Sequence, residues 1–456
     1  MISRSLGVKL IVVCGLAFLM TIPAFFVEGL VNERSQRAAD VISEISRRVG
    51  GPQTFLGPTL AIPFTQPPAS PADAPKHSVY IVFPVQASAV LKTETEERRR
   101  SLFRVPVYQA DLTFDATFDL AHAPDATPQG AQLDWKDAEM ILGVSDPRGA
   151  LADATLTTSG KSLVLVPAQS IENLSLEGDE NQRTNLHLLG AKLGGAVPTN
   201  VPLHVTSKLR FAGTEHLSIL PYGKTTQVNA EGDWRNPGFD GGILPVSRSV
   251  SSHGFTAKWS VPFVARGVRA EGPAGSITGL SSTALGISFV ELADPYQSVS
   301  RSLKYALVFL GLVFLSYFVF EVTAGKRIHP AQYILVGIAQ LIFYLLLLSL
   351  SERIGFDLAF LLAACATVLL LSGNANWVFS SRLQGVRALF VFSALYSLIY
   401  LLLRLEDNAL LVGAIGSFLA IAATMYLTRG IDWYGATFSA SQSARPNAPS
   451  LPTDAA

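Results

Sequence analysis

Apolar and polar residues alternate on two scales along this chain. Long uninterrupted apolar runs lie near both ends, each close to the roughly 20 residues that a helix needs to cross a bilayer core. Leu10 to Leu30 is the first run. Leu303 to Val322, Ala331 to Leu350, Gly355 to Leu371, Ala388 to Leu403 and Ala409 to Thr428 follow. One such run could be a buried core helix of a soluble protein, but five in close succession could not all be, so the pattern predicts about six transmembrane helices. Between the two ends the period falls to two. Every second residue is apolar from Leu112 to Leu120, as are Val201, Leu203, Val205, Leu209 and Phe211, and Phe255, Ala257, Trp259, Val261 and Phe263. Strict alternation describes strands with one wet and one buried face, as in antiparallel sheets. Pro221-Tyr222-Gly223 and Asn236-Pro237-Gly238 read as turns between them.

The predicted architecture is therefore a membrane α-helical protein carrying a large β-rich, sandwich-like domain, with two lobes dividing near residues 150–190. Val31, Ala38, Val41, Ile42, Ile45 and Val49 recur at helical spacing just after the first span, with Glu33/Arg37 and Glu44/Arg48 placed as i,i+4 pairs. The Gly50-Gly51-Pro52 run ends that pattern. A stalk helix is expected there, its apolar stripe packed on the domain. The division expected is 1–31 for the anchor helix, 32–300 for stalk and β-rich domain, 301–434 for a five-helix bundle and 435–456 for a tail.

Composition agrees with this picture. Hydrophobic residues make up 49% and charged residues 15%, where soluble domains carry about 25% charged; part of the chain is solvated by lipid. With 35 basic and 35 acidic residues the net charge is zero, which speaks against nucleic-acid binding. Cys14 and Cys365 both lie in apolar runs, so neither a disulfide nor a cysteine zinc site is expected.

Short-loop Lys and Arg set orientation. Arg4, Lys9, Lys326, Arg327, Arg382, Arg387 and Arg429 fall on one side; Arg353 and Arg404 fall on the other, beside Glu352, Glu406 and Asp407. Arg301 and Lys304 run against the count but adjoin the long domain. Both termini are expected in the cytoplasm of a bacterial cell, with residues 32–300 periplasmic. Pro23-Ala24-Phe25-Phe26 offers no small-residue cleavage site, so the first span reads as an uncleaved signal anchor. Trp433 and Tyr434 read as an interfacial anchor, and the tail from Ser439 as disordered.

Reactive constellations are hard to find. His77, His122, His187, His204, His216, His253 and His329 never stand at metal-ligand spacing to one another or to a cysteine. Gly143-Val144-Ser145-Asp146-Pro147 reads as a turn more readily than as a nucleophile elbow. Asp111, Asp115 and Asp119 alternate on a strand's polar face, which solvation explains. The charged run from Thr93 to Arg100 reads as a loop, or more sharply as an anion-binding patch built from Arg98, Arg99 and Arg100. Within the spans Gln340 is expected to bond a neighbouring helix. Glu321, near a helix end, is expected to be satisfied by Lys326, Arg327 or another basic neighbour. No catalytic, cofactor-binding or metal residue is assigned, and no cofactor is expected.

Several longer segments then stand in a telling order. They are Gly57-Pro58-Thr59-Leu60-Ala61-Ile62-Pro63, Asp233-Trp234-Arg235-Asn236-Pro237-Gly238-Phe239, Gly254 to Trp259 and Asp294-Pro295-Tyr296-Gln297. Phe318-Val319-Phe320-Glu321, Arg327 to Tyr333 and Thr428 to Tyr434 complete the set. Over nearly the whole chain this order resembles the CreD family of inner-membrane proteins. The resemblance implies a role in cell-envelope integrity, linked to a two-component regulatory system and to envelope stress such as β-lactams and colicins. It implies no catalytic residues. The function expected is non-enzymatic, with the β domain binding a periplasmic protein, wall or lipid component. A transport or lipid-handling protein is the alternative, and an enzyme acting on wall or lipid comes third.

Overall fold

The computed structural model describes residues 6–67, 76–100, 103–121, 131–177, 183–193, 201–289, 295–326, 328–405 and 409–429. The chain separates into two compact units, Met1–Arg37 with Ala293–Ala456, and Ala38–Leu292. Asp294, Arg327, His122, Trp433, Tyr434 and the tail lie outside the described residues.

The first unit is helical. Its elements are α1 (Leu6–Leu19), the start of α2 (Thr21–Val49), α3 (Pro295–Lys304), α4 (Ala306–Ala324), α5 (Pro330–Ile354), α6 (Phe356–Phe379), α7 (Arg382–Arg404) and α8 (Ala409–Thr428). Among the described residues five stretches are long and apolar enough to cross a membrane: Gly7–Val49 taken through α1 and α2, and α4 to α7. In α8 the stretch Leu411–Tyr426 is apolar but shorter. These fall where the apolar runs predict them, with two refinements. Pro23 has no N–H for the Leu19 carbonyl, and α1 stops at Leu19. The turn stays bonded around that break, Met20 N donating to Leu16 O at 3.0 Å and Thr21 Oγ1 to Phe18 O at 2.7 Å. The run beginning at Leu303 is also divided, because α3 is a separate amphipathic helix. It buries Tyr296, Val299, Ser302 and Leu303, and the Tyr296 hydroxyl donates to Glu352 at 3.0 Å.

Aromatic rings hold the bundle together. Phe309 of α4 and Phe343 of α5 both meet Tyr396 of α7 edge-on, at 4.8 and 4.9 Å. Tyr317 stacks on Phe392 at 5.5 Å. Such pairs contribute about 0.5–1.5 kcal/mol each beyond their buried area. His329 caps α5, its Nδ1 accepting from Ala331 N at 3.2 Å, and Pro330 takes the first helical position where a missing N–H costs nothing.

The second unit is the β-rich one. Its strands are β1 (Gln53–Gln66), β2 (Lys76–Val82), β3 (Gln86–Arg100), β4 (Phe103–Phe118), β5 (Gln132–Leu133), β6 (Glu139–Val144), β7 (Thr155–Thr158), β8 (Lys161–Val164), β9 (Val166–Pro167) and β10 (Asn173–Glu177). There follow β11 (Arg183–Lys192), β12 (Leu203–Thr214), β13 (His216–Leu220), β14 (Thr225–Gly232), β15 (Gly238–Gly241), β16 (Ser247–Ser251), β17 (Gly254–Val261), β18 (Glu271–Pro273) and β19 (Leu285–Ser288). One sheet has eleven strands with the order β10-β11-β6-β1-β13-β19-β15, and β2, β5, β9 and β18 attached at its sides. The other has eight, in the order β16-β17-β14-β3-β4-β12-β7-β8. A single apolar core joins the two sheets. Rings bridge it: Phe55 of β1 meets Phe211 of β12 at 5.4 Å, and Phe239 of β15 meets Phe255 of β17 at 5.9 Å.

The alternation from Leu112 to Leu120, through β12 from Leu203 and through β17 appears as buried and exposed faces. Val201 and Phe263 lie outside those strands and are exposed. Two expectations are corrected. Each sheet contains one parallel pair, β1 with β13 and β3 with β14. No lobes divide near residues 150–190, because β7 and β8 join one sheet and β9 to β11 the other. The turn expected at Pro221–Gly223 forms between β13 and β14, and within it Tyr222 is buried, its hydroxyl donating to the carbonyls of Ser88 at 2.6 Å and Asp115 at 3.0 Å. That turn is where the chain leaves one sheet for the other, so its ring fills the space between them.

Candidate functional site

The residues flagged by sequence are scattered. His77, His204 and His253 bond to nearby hydroxyls at 3.1, 3.0 and 3.2 Å, and His187 is exposed in β11. His216 is half-buried between Ser218, at 2.7 Å, and Asp240, at 3.5 Å. Asp111 faces Arg210 at 3.5 Å, Asp115 accepts from Thr206 at 2.7 Å, and Asp119 accepts from Ala121 N at 3.1 Å. Among the described residues no group of three or more His, Cys, Asp and Glu side chains could hold a metal ion. Ser145 is a structural hydroxyl: it accepts from Thr54 N at 2.9 Å and donates to Pro52 O at 3.0 Å.

The charged run from Thr93 to Arg100 is not a loop. It continues β3, paired residue for residue with β4 as far as Arg100 opposite Phe103. Arg100 forms an ion pair with Glu44 of α2, and Arg99 lies 3.8 Å from Glu97. Of the three arginines only Arg98 has no carboxylate partner among the described residues. The i,i+4 pairs of α2 form as expected, Glu33 with Arg37 at 2.6 Å and Glu44 with Arg48 at 2.8 Å. Its apolar stripe is only half-buried at Val41, Ile42 and Ile45. The buried residue there is Ser46, hydrogen-bonded to Thr214 at 2.6 Å. Gly50 makes that docking possible. At φ +97°, it faces Gly149 so closely that a Cβ would lie 2.6 Å from Gly149 Cα.

Beside this contact lies a groove of about 510 Å³, walled by Ile42, Ser43 and Arg47 of α2 and by Pro52, Ser145, Asp146, Arg148 and Glu215. Asp146 caps the short 3₁₀ turn Pro147–Gly149, accepting from Arg148 N at 3.0 Å, and grips the same residue's guanidinium at 2.9 and 2.7 Å. That hydrogen-bonded guanidinium holds the Asp146 carboxyl below its ordinary value. Burial pushes the Glu215 carboxyl up, on a backbone strained to φ +60°. The groove thus combines an apolar wall, hydroxyls, and charges held in place. Sequence reasoning missed it because its walls come from three separated segments.

Another unusual residue, Arg266, ends the 3₁₀ turn Phe263–Arg266 and is wholly buried. Its guanidinium lies 3.7 Å from the Phe83 ring centroid, and none of its nitrogens finds a hydrogen-bond partner. Burial pushes it down to about 9.

In the helical unit Glu321 is the hub of a buried knot. It accepts from Ile328 N at 2.9 Å and from the Tyr333 hydroxyl at 2.9 Å, and it forms an ion pair with Lys9. Lys9 also donates to Ile328 O at 2.9 Å. The basic neighbour is therefore Lys9 of α1, whereas Lys326 donates to Phe379 O at 2.6 Å. Gln340 departs from expectation: it is fully buried, and neither amide atom has a partner.

The longer sequence segments meet at such structural points. Phe318–Glu321 and Ile328–Tyr333 converge on the Glu321 knot. Phe239 packs between Phe255 and Trp259, at 5.9 and 6.0 Å. Asp233 accepts from Thr95 N at 2.9 Å. Gly57 lies against Tyr222, whose ring a Cβ there would approach to 2.7 Å.

A multi-span helical bundle joined to a two-sheet β unit defines a polytopic membrane protein. The family described as "Inner membrane protein CreD" matches residues 5–434. The chain is 30% identical over 448 residues, covering 95% of both chains, to the protein named "Inner membrane protein CreD" from Escherichia coli (strain K12). The chain belongs to the CreD family, and it is a multi-pass inner-membrane protein.

Proposed function

We propose that this chain is a non-enzymatic protein that supports cell-envelope integrity under stress, and that its β unit acts outside the cytoplasm as a tethered module binding an envelope component. The groove of about 510 Å³ beside the end of α2 carries this reading. It offers fixed charges, hydroxyls and an apolar wall, which suit recognition. The β unit is tied into the chain through membrane helices on both sides, which raises its effective concentration near a membrane-bound or wall-bound partner. The Lys/Arg distribution supports an N-in orientation.

The test is release. Protease sites inserted in the exposed part of α2 near Asn32 and between Phe289 and Pro295, so that both tethers are cut, are cleaved together in living cells challenged with an envelope-active antibiotic. Loss of survival on cleavage, with the β unit still folded, is the expected result. Cells protected equally by cut and intact protein would defeat the tethered-module reading. If His204→Ala, His216→Ala or His253→Ala abolished protection without unfolding, an enzyme would take its place.

A second reading, lipid handling, draws on a hollow of about 570 Å³ between α6 and α7. Phe360, Leu361 and Val368 line it, with Ser393, Tyr396 and Ser397 on one wall. Lipid or solute flux in proteoliposomes that depends on those residues would favour it.

A further inference from the structure

Next to the groove, and sharing Arg148 with it, lies a smaller hollow of about 200 Å³ lined by Arg48, Arg98 and Arg148, with Glu96, Gln109 and Val107 among its other walls. We propose that this hollow binds a phosphate-type anionic group, with the rest of the ligand extending into the groove. The inference rests on the reading of the β unit as a binding module and names the chemistry that it recognises.

Three guanidinium groups meet one carboxylate there, and they come from three distant segments: the last turn of α2, the outer part of β3, and the turn Pro147–Gly149. The close approach of Gly50 to Gly149 brings the first and third together. Two of the arginines are held in place by carboxylates. Asp146 takes the Nε and Nη2 of Arg148 at 2.9 and 2.7 Å, and Glu44 takes Arg48 at 2.8 Å. Neither pair uses every donor: Nη1 of Arg148 and the Nε of Arg48 have no partner among the described residues. The Arg98 side chain has no ion pair or hydrogen bond among those residues, although its neighbours Arg99 and Arg100 are taken by Glu97 and Glu44. Planar donors left with free N–H groups, two of them tethered by carboxylates and the third exposed and unpaired, suit a multidentate oxyanion. A solvated strand surface would require no such convergence. The hollow has room for a phosphate group, and it shares Arg148 with the adjoining groove, where the remainder of the ligand is placed.

The full chain is reconstituted in phosphatidylcholine nanodiscs and titrated calorimetrically with inorganic phosphate, then with phosphatidylglycerol added to the discs. Saturable phosphate binding is expected, weakened about ten- to hundredfold in Arg98→Gln and in Arg148→Gln. It should be unchanged in Arg99→Gln, whose guanidinium lies outside the hollow. Arg98→Lys, which keeps the charge but loses the planar fork, should recover only part of the affinity. Competition by phosphatidylglycerol would assign the site to a lipid headgroup; undiminished phosphate binding would assign it to a soluble or wall-borne phosphate. No saturable binding, or equal affinity in Arg98→Gln and the unaltered protein, would overturn the site. Neither result decides the release experiment, which tests the tethered module separately.

Discussion

Replacing Arg266 by methionine should make the protein more stable. The buried guanidinium has no hydrogen-bond partner among the described residues, and burial pushes it down by about 3–4 units to about 9. At about 1.4 kcal/mol per unit, keeping it charged at neutral pH costs the folded state about 5 kcal/mol. The Phe83 ring, 3.7 Å below it, returns about 2 kcal/mol through a desolvated cation–π contact. Methionine keeps most of the volume, removes the charge and can lay its sulfur on the same ring. The net gain expected is about 2–3 kcal/mol, which in a unit of this size raises the midpoint by roughly 4–12 °C. Trp135, Trp234 and Trp259 lie in the β unit and report its unfolding by fluorescence in detergent. The pH dependence supplies an independent check. A cationic group whose folded pKa lies below its unfolded one destabilises fully below the folded value, and the penalty is relieved as pH rises through it. The unaltered protein should therefore gain on Arg266→Met as pH rises from about 8 to about 10, while Arg266→Met lacks that trend. A fall in midpoint for Arg266→Met, or a gap that does not change with pH, would refute the argument and point to an anionic partner for Arg266.

Breaking the knot around Glu321 should be costly in a particular way. Lys9→Met or Glu321→Gln alone leaves a buried polar group uncompensated and should cost about 3–5 kcal/mol, while the double variant should cost clearly less than the sum; detergent unfolding curves of all three measure this. Gly57→Ala should drive a methyl into the Tyr222 ring and cost about 1–3 kcal/mol, read as an earlier β-unit midpoint, and Tyr222→Leu in the same chain should recover part of it. For topology, single cysteines near Ser70 and near Gly325, in a chain lacking Cys14 and Cys365, should label oppositely with an impermeant reagent; labelling at Gly325 in intact spheroplasts would reverse the orientation.

The membrane spans were legible because the need for a long apolar run is a local property of the chain. The strands with one wet face were legible for the same reason, as β4, β12 and β17 illustrate. What escaped was non-local. Nothing near Glu321 in sequence announces Lys9 as its partner. The parallel pairing of β1 with β13 joins segments whose patterns are each compatible with an antiparallel neighbour. Thr93 to Arg100 looked like a loop because the outer part of β3 has no buried face, so its side chains carry no period of two. The groove at the end of α2 left no signal either, since Arg47, Arg148 and Glu215 are each unremarkable alone, whereas Arg98 of the smaller hollow stood out only as part of the run Arg98 to Arg100. The family resemblance rested on glycine, proline and aromatic positions, and the structure accounts for these as packing points: Gly57 under Tyr222, Phe239 between Phe255 and Trp259, and the Glu321 knot.

The place of β1 has a consequence for biosynthesis. It is synthesised first among the strands, yet it is a central strand whose parallel partner, β13, begins at His216, and β19, which flanks β13, ends at Ser288. At about 5–20 residues per second, a very apolar strand waits roughly ten seconds or more before its sheet can close. Such an interval favours mispairing with other nascent strands. Pro58 and Pro63 lie within β1, and its pairing with β6 shifts register between Leu56 and Thr59. Each proline withholds a ladder hydrogen bond from a would-be wrong neighbour, and the irregular stretch prevents a long flat edge. The prolines in this strand thus act as gatekeepers against aggregation while the nascent chain awaits its late partners.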